Sequence, residues 1–478
     1  MSGRRSKKAS SADGGDRISG LPDEVLHRVL SHLPAPEAAR TSVLARRWRD
    51  LWKSNRRLSV VFPWTSMTVS RTERLARLIS QHGLRRSRSL RRPRLSIARL
   101  LSVTGDRTAL AVDRLNRMVN RLLLLRDPVP LDVCSFSFDG FPRVDGAEVD
   151  VWIRHVLSWQ VPVLIARLGT NVHTQLGNHS LASEHLKRLE LSEVKLKGSF
   201  LDFSSCTALV YLRMHACIIG VEKIISESLI SLKITHCNFD FVAVTTISVP
   251  SLLFLVLAYC EGQTPMLEVM PQLINASIKL GWFDEDRCGK DTNEDHCGEG
   301  TDEVHYGEGT DEDYHKLCRN CCGVCANCCG NDSNRDCVLL GGLSNVKCLR
   351  LDPSYQMFTI KRDLQCCPKF FNLRTLVLDN WRLNIGLEAL LCFLQHTPLL
   401  EKLIIHVPKE RDQCNIVDNE FCNFIEKYVH LPYLSVVEVR YRKDGYKICH
   451  WELLKILEVS AENLKQFNII RDWYVPNY

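Results

Sequence analysis

The residues with the clearest potential for chemistry are cysteines gathered in one short stretch. Two pairs have the Cys-x-x-Cys spacing of zinc knuckles, and thiolates bind zinc at about 2.3 Å. The candidate ligands are Cys318, Cys321, Cys325 and Cys328. Only three residues separate the two pairs, whereas zinc ribbons leave about 15–20. Two hypotheses stay open: a compact metal- or redox-responsive loop, or an expanded insertion whose cysteines have no role.

Acidic repeats precede the cysteines. Three nonapeptides stand in tandem from Gly289, Gly298 and Gly307, and residues 284–336 carry 15 acidic and 5 basic residues. Short, acidic, glycine-rich copies cannot bury a core, so they predict a flexible surface loop. The chain has no phosphate-binding glycine loop, nucleophile elbow or His-Glu-x-x-His motif. We therefore expect a protein without enzymatic activity and without a cofactor.

The composition indicates a folded protein with local charge asymmetry. The chain has 478 residues, is 45% hydrophobic and carries a net charge of +7. Residues 1–100 hold 23 Lys and Arg against 7 Asp and Glu, but their basic runs lack the interleaved aromatics that stack on bases. The longest apolar run, Leu252 to Cys260, is shorter than the roughly 20 residues of a membrane span. We expect no nucleic acid or membrane partner, no secretory signal, and a location in the nucleus or the cytoplasm.

A small helical module is predicted between Asp16 and Trp52. Pro22 stands where a helix start tolerates proline, and acidic residues follow it in the first turn. One apolar stripe predicts a first helix, and two more are predicted over Glu37–Leu44 and Arg46–Trp52. Three short helices over about 40 residues bury little core alone, so we expect this module to lean on a partner or a neighbouring domain.

The order of residues in this module resembles the F-box of plant proteins, from Leu21-Pro22-Asp23-Glu24 to Trp48-Arg49-Asp50-Leu51-Trp52. The resemblance implies docking on a Skp-family adaptor and, through it, on a cullin. The residues expected to form the core of the module and its adaptor interface are Leu21, Pro22, Leu26, Leu30, Leu33, Val43, Leu44, Trp48, Leu51 and Trp52. Which of them point inward stays open.

A second pattern begins at Leu186 and recurs to the end of the chain. Its unit is apolar-x-x-apolar-x-apolar, and copies start 20–23 residues apart before the acidic insertion and 27–34 apart after it. This leucine-rich-repeat periodicity predicts a solenoid with parallel strands on a concave face. In the turn that follows a strand, we expect a polar side chain to form hydrogen bonds with the backbone of the turn. The residues with this expected role are Cys217, Cys237, Cys260 and Asn380.

The residues between the predicted leucines carry both charge signs, as Arg188, Glu190 and Lys233 illustrate. Because no sign dominates, the pattern favours a protein partner over nucleic acid. The C-terminal segment, with Ala461-Glu462-Asn463-Leu464, resembles the FBD region of plant F-box/leucine-rich-repeat proteins. It is expected to cap the end of the solenoid.

The sequence thus predicts an α/β protein in which a three-helix F-box precedes a leucine-rich-repeat solenoid and an FBD-like cap. The predicted boundaries are a basic leader at 1–15, the F-box at 16–54, a transition region at 55–160, repeats at 161–283, the insertion at 284–336, repeats at 337–406 and the FBD-like region at 407–478. The resemblance implies a substrate-recognition subunit of a Skp–cullin–F-box (SCF) ubiquitin ligase that binds an unidentified protein substrate. The alternatives are a metal- or redox-responsive scaffold and a non-degradative solenoid binding module.

Overall fold

The computed structural model describes residues 20–62, 94–138, 146–169, 174–176, 181–239, 244–280, 337–353, 360, 363–364, 366–381, 383–407, 429–441, 457 and 460–471. The basic leader and the acidic insertion with its four candidate zinc ligands lie outside these residues. The chain divides into two compact units, Met1–Val144 with Arg154–Asn171, and Asp145–Ile153 with Val172–Tyr478.

The first unit begins with three short helices, as predicted. They are α1 (Asp23–Leu30), α2 (Ala35–Arg40) and α3 (Trp48–Leu51), with 3-10 turns at Thr41–Val43 and Trp52–Ser54. The second and third helices are shorter than predicted. The Thr41 hydroxyl donates to the carbonyl of Ala38 at 2.6 Å, where the second helix gives way to a 3-10 turn. Local hydroxyl bonds of this kind compete with helix continuation.

Parallel strands already occur in the first unit, before the first predicted repeat. They are β1 (Arg57–Val61), β2 (Val133–Ser137) and β3 (Val163–Arg167). Cys134 pairs in register with Leu58 on one side and Leu164 on the other, and all three side chains are buried. The alternation of apolar and polar residues from Leu131 to Phe138 predicts only the middle strand of the three. Helix α4 (Arg94–Leu125) lies between β1 and β2, and α5 (Gly146–Leu157) contains the boundary between the units.

The second unit is built on one long parallel sheet. Its strands are β5 (Arg188–Ser192), β7 (Tyr211–His215), β9 (Ser231–Thr235), β12 (Phe254–Gly262), β14 (Asn275–Leu280), β15 (Cys348–Asp352), β16 (Thr375–Leu378), β17 (Lys402–Val407), β18 (Val436–Tyr441) and β19 (Gln466–Arg471). Each predicted repeat copy supplies one of these strands. In register, Leu212 stacks on Leu189 and Leu232, and the stacked leucines are buried. The predicted parallel-strand solenoid is confirmed.

A second layer covers the leucine core from the other side. Up to residue 280 it consists of parallel strands, β4 (Thr174–Leu176), β6 (Val194–Asp202), β8 (Ile218–Ile225), β10 (Asn238–Phe239), β11 (Thr246–Ser248) and β13 (Met266–Leu267). Beyond residue 337 the 13-residue helix α6 (Leu383–Gln395) takes this place between β16 and β17, with Leu390 and Leu394 buried. The longer repeat steps after the insertion provide the residues for this helix.

Left-handed residues follow four strands of the long sheet, β5, β7, β9 and β16, and a fifth lies within β12. Ala216, His236 and Tyr259 have positive φ angles of 50–55°, and so does Asn380 at 51°. Cys217, Cys237 and Cys260 each follow such a residue and are buried. Their sulfurs bond backbone groups, as when the Cys217 thiol donates to the Leu191 carbonyl at 3.5 Å. The turn prediction is therefore right for the three cysteines.

The turn prediction is wrong for Asn380. This residue occupies the left-handed position itself, and the buried place that the cysteines take elsewhere belongs to Trp381. Asparagine tolerates positive φ better than most residues, which explains its type there. Its carboxamide donates to the carboxylate of Asp352 rather than to the turn backbone.

The acidic insertion does not interrupt the ladder of strands. β14 and β15 pair directly, with Asn275 opposite Cys348 and Ile278 opposite Leu351. At the C-terminal end, β18 and β19 continue the same parallel ladder. Ile469 and Ile470 on β19 are partly exposed. The FBD-like region thus adds two parallel strands to the sheet of the solenoid.

Candidate functional site

The interior of the F-box-like module is small and apolar. Leu26 and Leu30 on α1 are fully buried, and they lie four residues apart on one helix face. Trp48 and Trp52 are also buried, and α1 contacts α3. Four of the ten predicted site residues therefore form the interior of the module.

Other apolar residues of the module face solvent. Val43 and Leu44 are 86% and 71% exposed, and Val25 and Val29 on α1 are 41% and 48% exposed. Leu21, Leu33 and Leu51 are partly exposed, and Pro22 is exposed. Val25 and Val29 were predicted only as part of a single apolar helix stripe. Because they lie one position before the buried Leu26 and Leu30, the helix turns them about 100° away from the interior.

An ion pair ties the end of the module to its start. Arg47 donates from Nε and a terminal nitrogen to Oδ1 of Asp23, at 2.9 and 2.5 Å. Asp23 lies in the first turn of α1, where a carboxylate also interacts favourably with the helix dipole. Both side chains are partly exposed, so the pair adds only about 0–1 kcal/mol of stability. Its main effect is to fix the loop before α3.

The second unit presents one sheet face away from the leucine core. This open face consists of the first, third and fifth residues of each strand of the long sheet, and it is the face expected to be concave. Its central strands line a groove of about 480 Å³ that runs from Arg213 to Asp379. A groove of this size is within the range of known ligand sites.

The acidic side chains of the open face are more deeply buried than the basic ones. The carboxylates of Glu190, Asp352, Asp379 and Glu438 have side chains only 2–11% exposed. The cations that pair with them are 26–47% exposed. The expectation that neither sign dominates this face is therefore wrong for its accessible surface. The acids are buried beneath the bases, and the solvent-facing charge is positive.

The pairs themselves cross between neighbouring strands. Lys279 Nζ lies 3.0 Å from Asp352, and Lys402 Nζ lies 2.7 Å from Glu438. Arg350 contacts Asp379 in the same way. These partners are 29–73 residues apart in sequence, and the strand register brings them together. The sequence contained no local signal for them.

Burial does not neutralise Asp379 or Glu438. Burial alone would raise the pKa of Asp379, but hydrogen bonds from His406 and Arg350 outweigh it and hold the pKa below its ordinary value. The hydrogen bond from Lys402 lowers the pKa of Glu438. Burial opposes the charge of Lys279, but bonds with Tyr259 and Asp352 raise its pKa. Asp379, Glu438 and Lys279 are therefore charged at neutral pH.

Aromatic rings border the groove along the left-handed turns. His236 stacks on Tyr259 with ring centroids 4.8 Å apart and an interplanar angle of 7°. His215 meets His236 edge-on at 5.3 Å. Lys279 lies over the Tyr259 ring at 4.4 Å, a cation–π contact. These rings make one wall of the groove rigid and partly apolar.

The described part of the chain contains neither a metal-ligand cluster nor a membrane-spanning helix. Within it, no three His, Cys, Asp or Glu side chains are grouped so that they could hold a metal ion. In the same part of the chain, no helix combines the length and the apolar character needed to cross a bilayer. The prediction of a zinc site at Cys318 to Cys328 falls outside the described residues and stays a prediction.

Comparison with known proteins agrees with the helical module and the repeats. Residues 18–59 match the F-box domain family. A putative F-box protein of Arabidopsis thaliana is 30% identical over 251 residues, which cover 50% of this chain and 45% of the relative. A putative F-box/LRR-repeat protein of the same plant is 30% identical over 165 residues, 33% of each chain.

A shorter, more similar match is to an F-box/FBD/LRR-repeat protein of Arabidopsis thaliana. The two are 58% identical over 40 residues, 8% of this chain and 9% of the relative. The chain therefore spans less than half the length of these curated relatives.

Proposed function

Because the chain is an F-box protein with a leucine-rich-repeat solenoid of the kind found in plants, we propose that it is the substrate-recognition subunit of an SCF ubiquitin ligase. The F-box holds a Skp-family adaptor and through it a cullin, while the solenoid holds a protein substrate. The chain performs no catalysis itself. It raises the effective concentration of substrate lysines near the catalytic partner of the ligase. Its location is the nucleus, the cytoplasm or both, which a fluorescent fusion of the full chain in plant cells tests.

The observation that carries the proposal is that several apolar side chains of the F-box module face solvent. Val43 and Leu44, with Val25 and Val29, lie exposed on a module whose interior is already filled by Leu26 and other buried residues. Apolar side chains gain free energy when a partner removes them from water, by about 25 cal/mol per Å². A docking surface for an apolar partner explains why they face solvent.

The test is binding to a purified plant Skp-family adaptor by the full chain and by Val43→Glu/Leu44→Glu. The free chain should keep its thermal stability, because both side chains are largely exposed. Adaptor affinity should fall at least about 100-fold, because docking would bury two unpaired carboxylates. Leu124→Glu is the matched control, since Leu124 is 78% exposed and lies outside the module. Unchanged affinity of the double variant, or failure of the wild type to bind, contradicts the proposal.

A second candidate function, a redox-responsive scaffold, is favoured by one contact. The sulfurs of Cys337 and Cys366 lie 3.0 Å apart, and both residues are partly exposed. Hydrogen peroxide could oxidise the two thiols to a disulfide, with formation of two waters. Peptide mapping after peroxide treatment would detect the cross-link in the wild type and in Cys348→Ser but not in Cys366→Ser. Absence of the cross-link in the wild type removes this candidate.

The metal-binding version of that candidate has its own test. Zinc would be measured in the full chain after purification without chelator, and compared with Cys318→Ser/Cys328→Ser. Stoichiometric zinc that is lost in the variant supports a metal-responsive scaffold. Equal, low zinc in both proteins removes it.

A further inference from the structure

We infer that the open face recognises an acidic segment of its protein partner. Two cations of the groove contact the acidic residues of this segment, and an apolar side chain of the segment anchors it in the groove. This inference rests on the proposed function, because it names the class of substrate that the solenoid selects. The contact points are Arg213 and Lys233, on the neighbouring strands β7 and β9.

These two cations differ from the others on the open face. Arg188, Lys279, Arg350, Lys402 and Arg440 each lie within 3.0 Å of a buried carboxylate. Arg213 reaches Glu190 only at 3.9 Å, and its Nε is buried with no hydrogen-bond partner. Lys233 has no ion pair among the residues that the structure describes. The groove thus holds two positive charges that the protein itself leaves largely uncompensated.

Their placement favours one bridging acidic group or two neighbouring ones. Arg213 and Lys233 are directly opposite each other in the register of β7 and β9. Neighbouring strands lie about 4.8 Å apart, so the two cations repel each other unless an anion is bound. The Arg213 side chain is 36% exposed, so its terminal nitrogens can donate to a carboxylate that also accepts from the Lys233 ammonium. The site is therefore preorganised for a carboxylate.

The next rung of the groove supplies an apolar contact. Val256 follows Lys233 in register on β12, and Phe254 on the same strand is 42% exposed. Tyr259, stacked on His236, is also 42% exposed. An apolar side chain two or three residues from the carboxylates would cover these surfaces. The combination selects an acidic segment that contains a large aliphatic or aromatic residue.

A polyanion fits this face less well. Nucleic acid gains affinity by neutralising many phosphates with unpaired cations. Here five of the seven cations are already paired with four buried carboxylates, since Lys402 and Arg440 share Glu438. Additional phosphates along the face would have to compete with Glu190, Asp352 and Glu438 for cations that these carboxylates already bind. The uncompensated charge is sufficient for about two carboxylates, so the partner is a short acidic segment of a protein.

The experiment measures fluorescence anisotropy of a labelled peptide, EEFLEE, titrated with the full chain, with QQFLQQ as the neutral peptide. We expect EEFLEE to bind at least about tenfold more tightly than QQFLQQ, because hydrogen bonds between charged groups are stronger than those between neutral ones. Lys233→Glu and Arg213→Ala should each weaken EEFLEE binding about tenfold or more. Lys197→Ala is the matched control, because Lys197 is an exposed lysine of β6 outside the groove. Thermal melting verifies that each variant is folded.

Four outcomes overturn the inference. The first two are that EEFLEE does not bind and that QQFLQQ binds equally well. The third is that Lys197→Ala loses as much EEFLEE affinity as Lys233→Glu. The fourth is that a 20-nucleotide single-stranded DNA competes more strongly than unlabelled EEFLEE. Removal of residues 284–336 provides a further comparison. A large gain in affinity without these residues would assign the groove to the chain's own acidic insertion and overturn recognition of a partner.

Adaptor binding, measured on the same preparations, separates the two proposals. If the adaptor binds but EEFLEE does not, the inference fails and the ligase function stands. If the adaptor does not bind the wild type, the proposed function fails whatever the peptide does. Lys233→Glu should leave adaptor affinity unchanged, because Lys233 is in the solenoid.

Discussion

Replacement of Asp352 by alanine should loosen the middle of the solenoid. The Asp352 side chain is 2% exposed and lies 3.0 Å from Lys279 Nζ. It also accepts two hydrogen bonds of 2.9 Å from the Asn380 carboxamide. Asn380 is held in a left-handed conformation at the turn after β16. Asp352→Ala removes the shared acceptor from both groups.

The expected cost follows from these exposures. Loss of one partner from a fully buried ion pair costs about 3–5 kcal/mol. The Lys279 side chain is 26% exposed, so water can partly rehydrate its ammonium, and it keeps the contact with the Tyr259 ring. We therefore expect Asp352→Ala to lower the local free energy of unfolding by about 2–3 kcal/mol. Asp352→Asn keeps an acceptor but loses the charge and should cost less.

Native-state hydrogen exchange is the suitable assay, because a repeat array does not unfold in one two-state step. Exchange in β15 and β16 should accelerate about 30- to 150-fold in Asp352→Ala, since each 1.4 kcal/mol is a factor of ten. Asp132→Ala is the control, because its ion pair with Arg56 is well exposed and its loss should cost under about 1 kcal/mol. If Asp352→Ala changes exchange no more than Asp132→Ala, buried carboxylates do not hold the open face together.

Three further predictions concern the F-box, a tight turn and acid stability. Leu30→Ala empties a fully buried position and should cost about 2–5 kcal/mol, seen as faster exchange in α1 together with weaker adaptor binding. Gly262 has a φ of +87°, and an added Cβ would lie 1.7 Å from the Phe239 carbonyl oxygen. Gly262→Ala should therefore lower the melting temperature strongly or abolish soluble expression. The lowered pKa values of Asp379 and Glu438 contribute stability that is complete above their unfolded values of about 4 and is lost as pH falls through the lower folded values. Melting temperature against pH should drop below about pH 4, and less steeply in Asp379→Asn.

Local patterns were sufficient to predict much of the fold. The repeat leucines, such as Leu212 and Leu232, lie buried in the strands where the periodicity placed them. The cysteine positions of the turns were right for the same reason, because the turn repeats with the strand. The first strands, β1 and β3, were missed. β1 pairs with β2 across 76 residues, a distance that no short repeat marks, and β3 follows β2 by 30 residues.

The sequence alone determined which residues form the helices of the F-box and the rungs of the solenoid, because these depend on periodicities within about 30 residues. Only the tertiary structure decided which apolar residues of the F-box face solvent, since Val43 and Leu26 are equally apolar in sequence but 86% and 0% exposed. It also decided the charge of the open face. Strand register places Lys279 above the buried Asp352, across the acidic insertion, and leaves Arg213 beside Lys233. Such pairs are set by the stacking of whole repeats, so no local pattern could have revealed them.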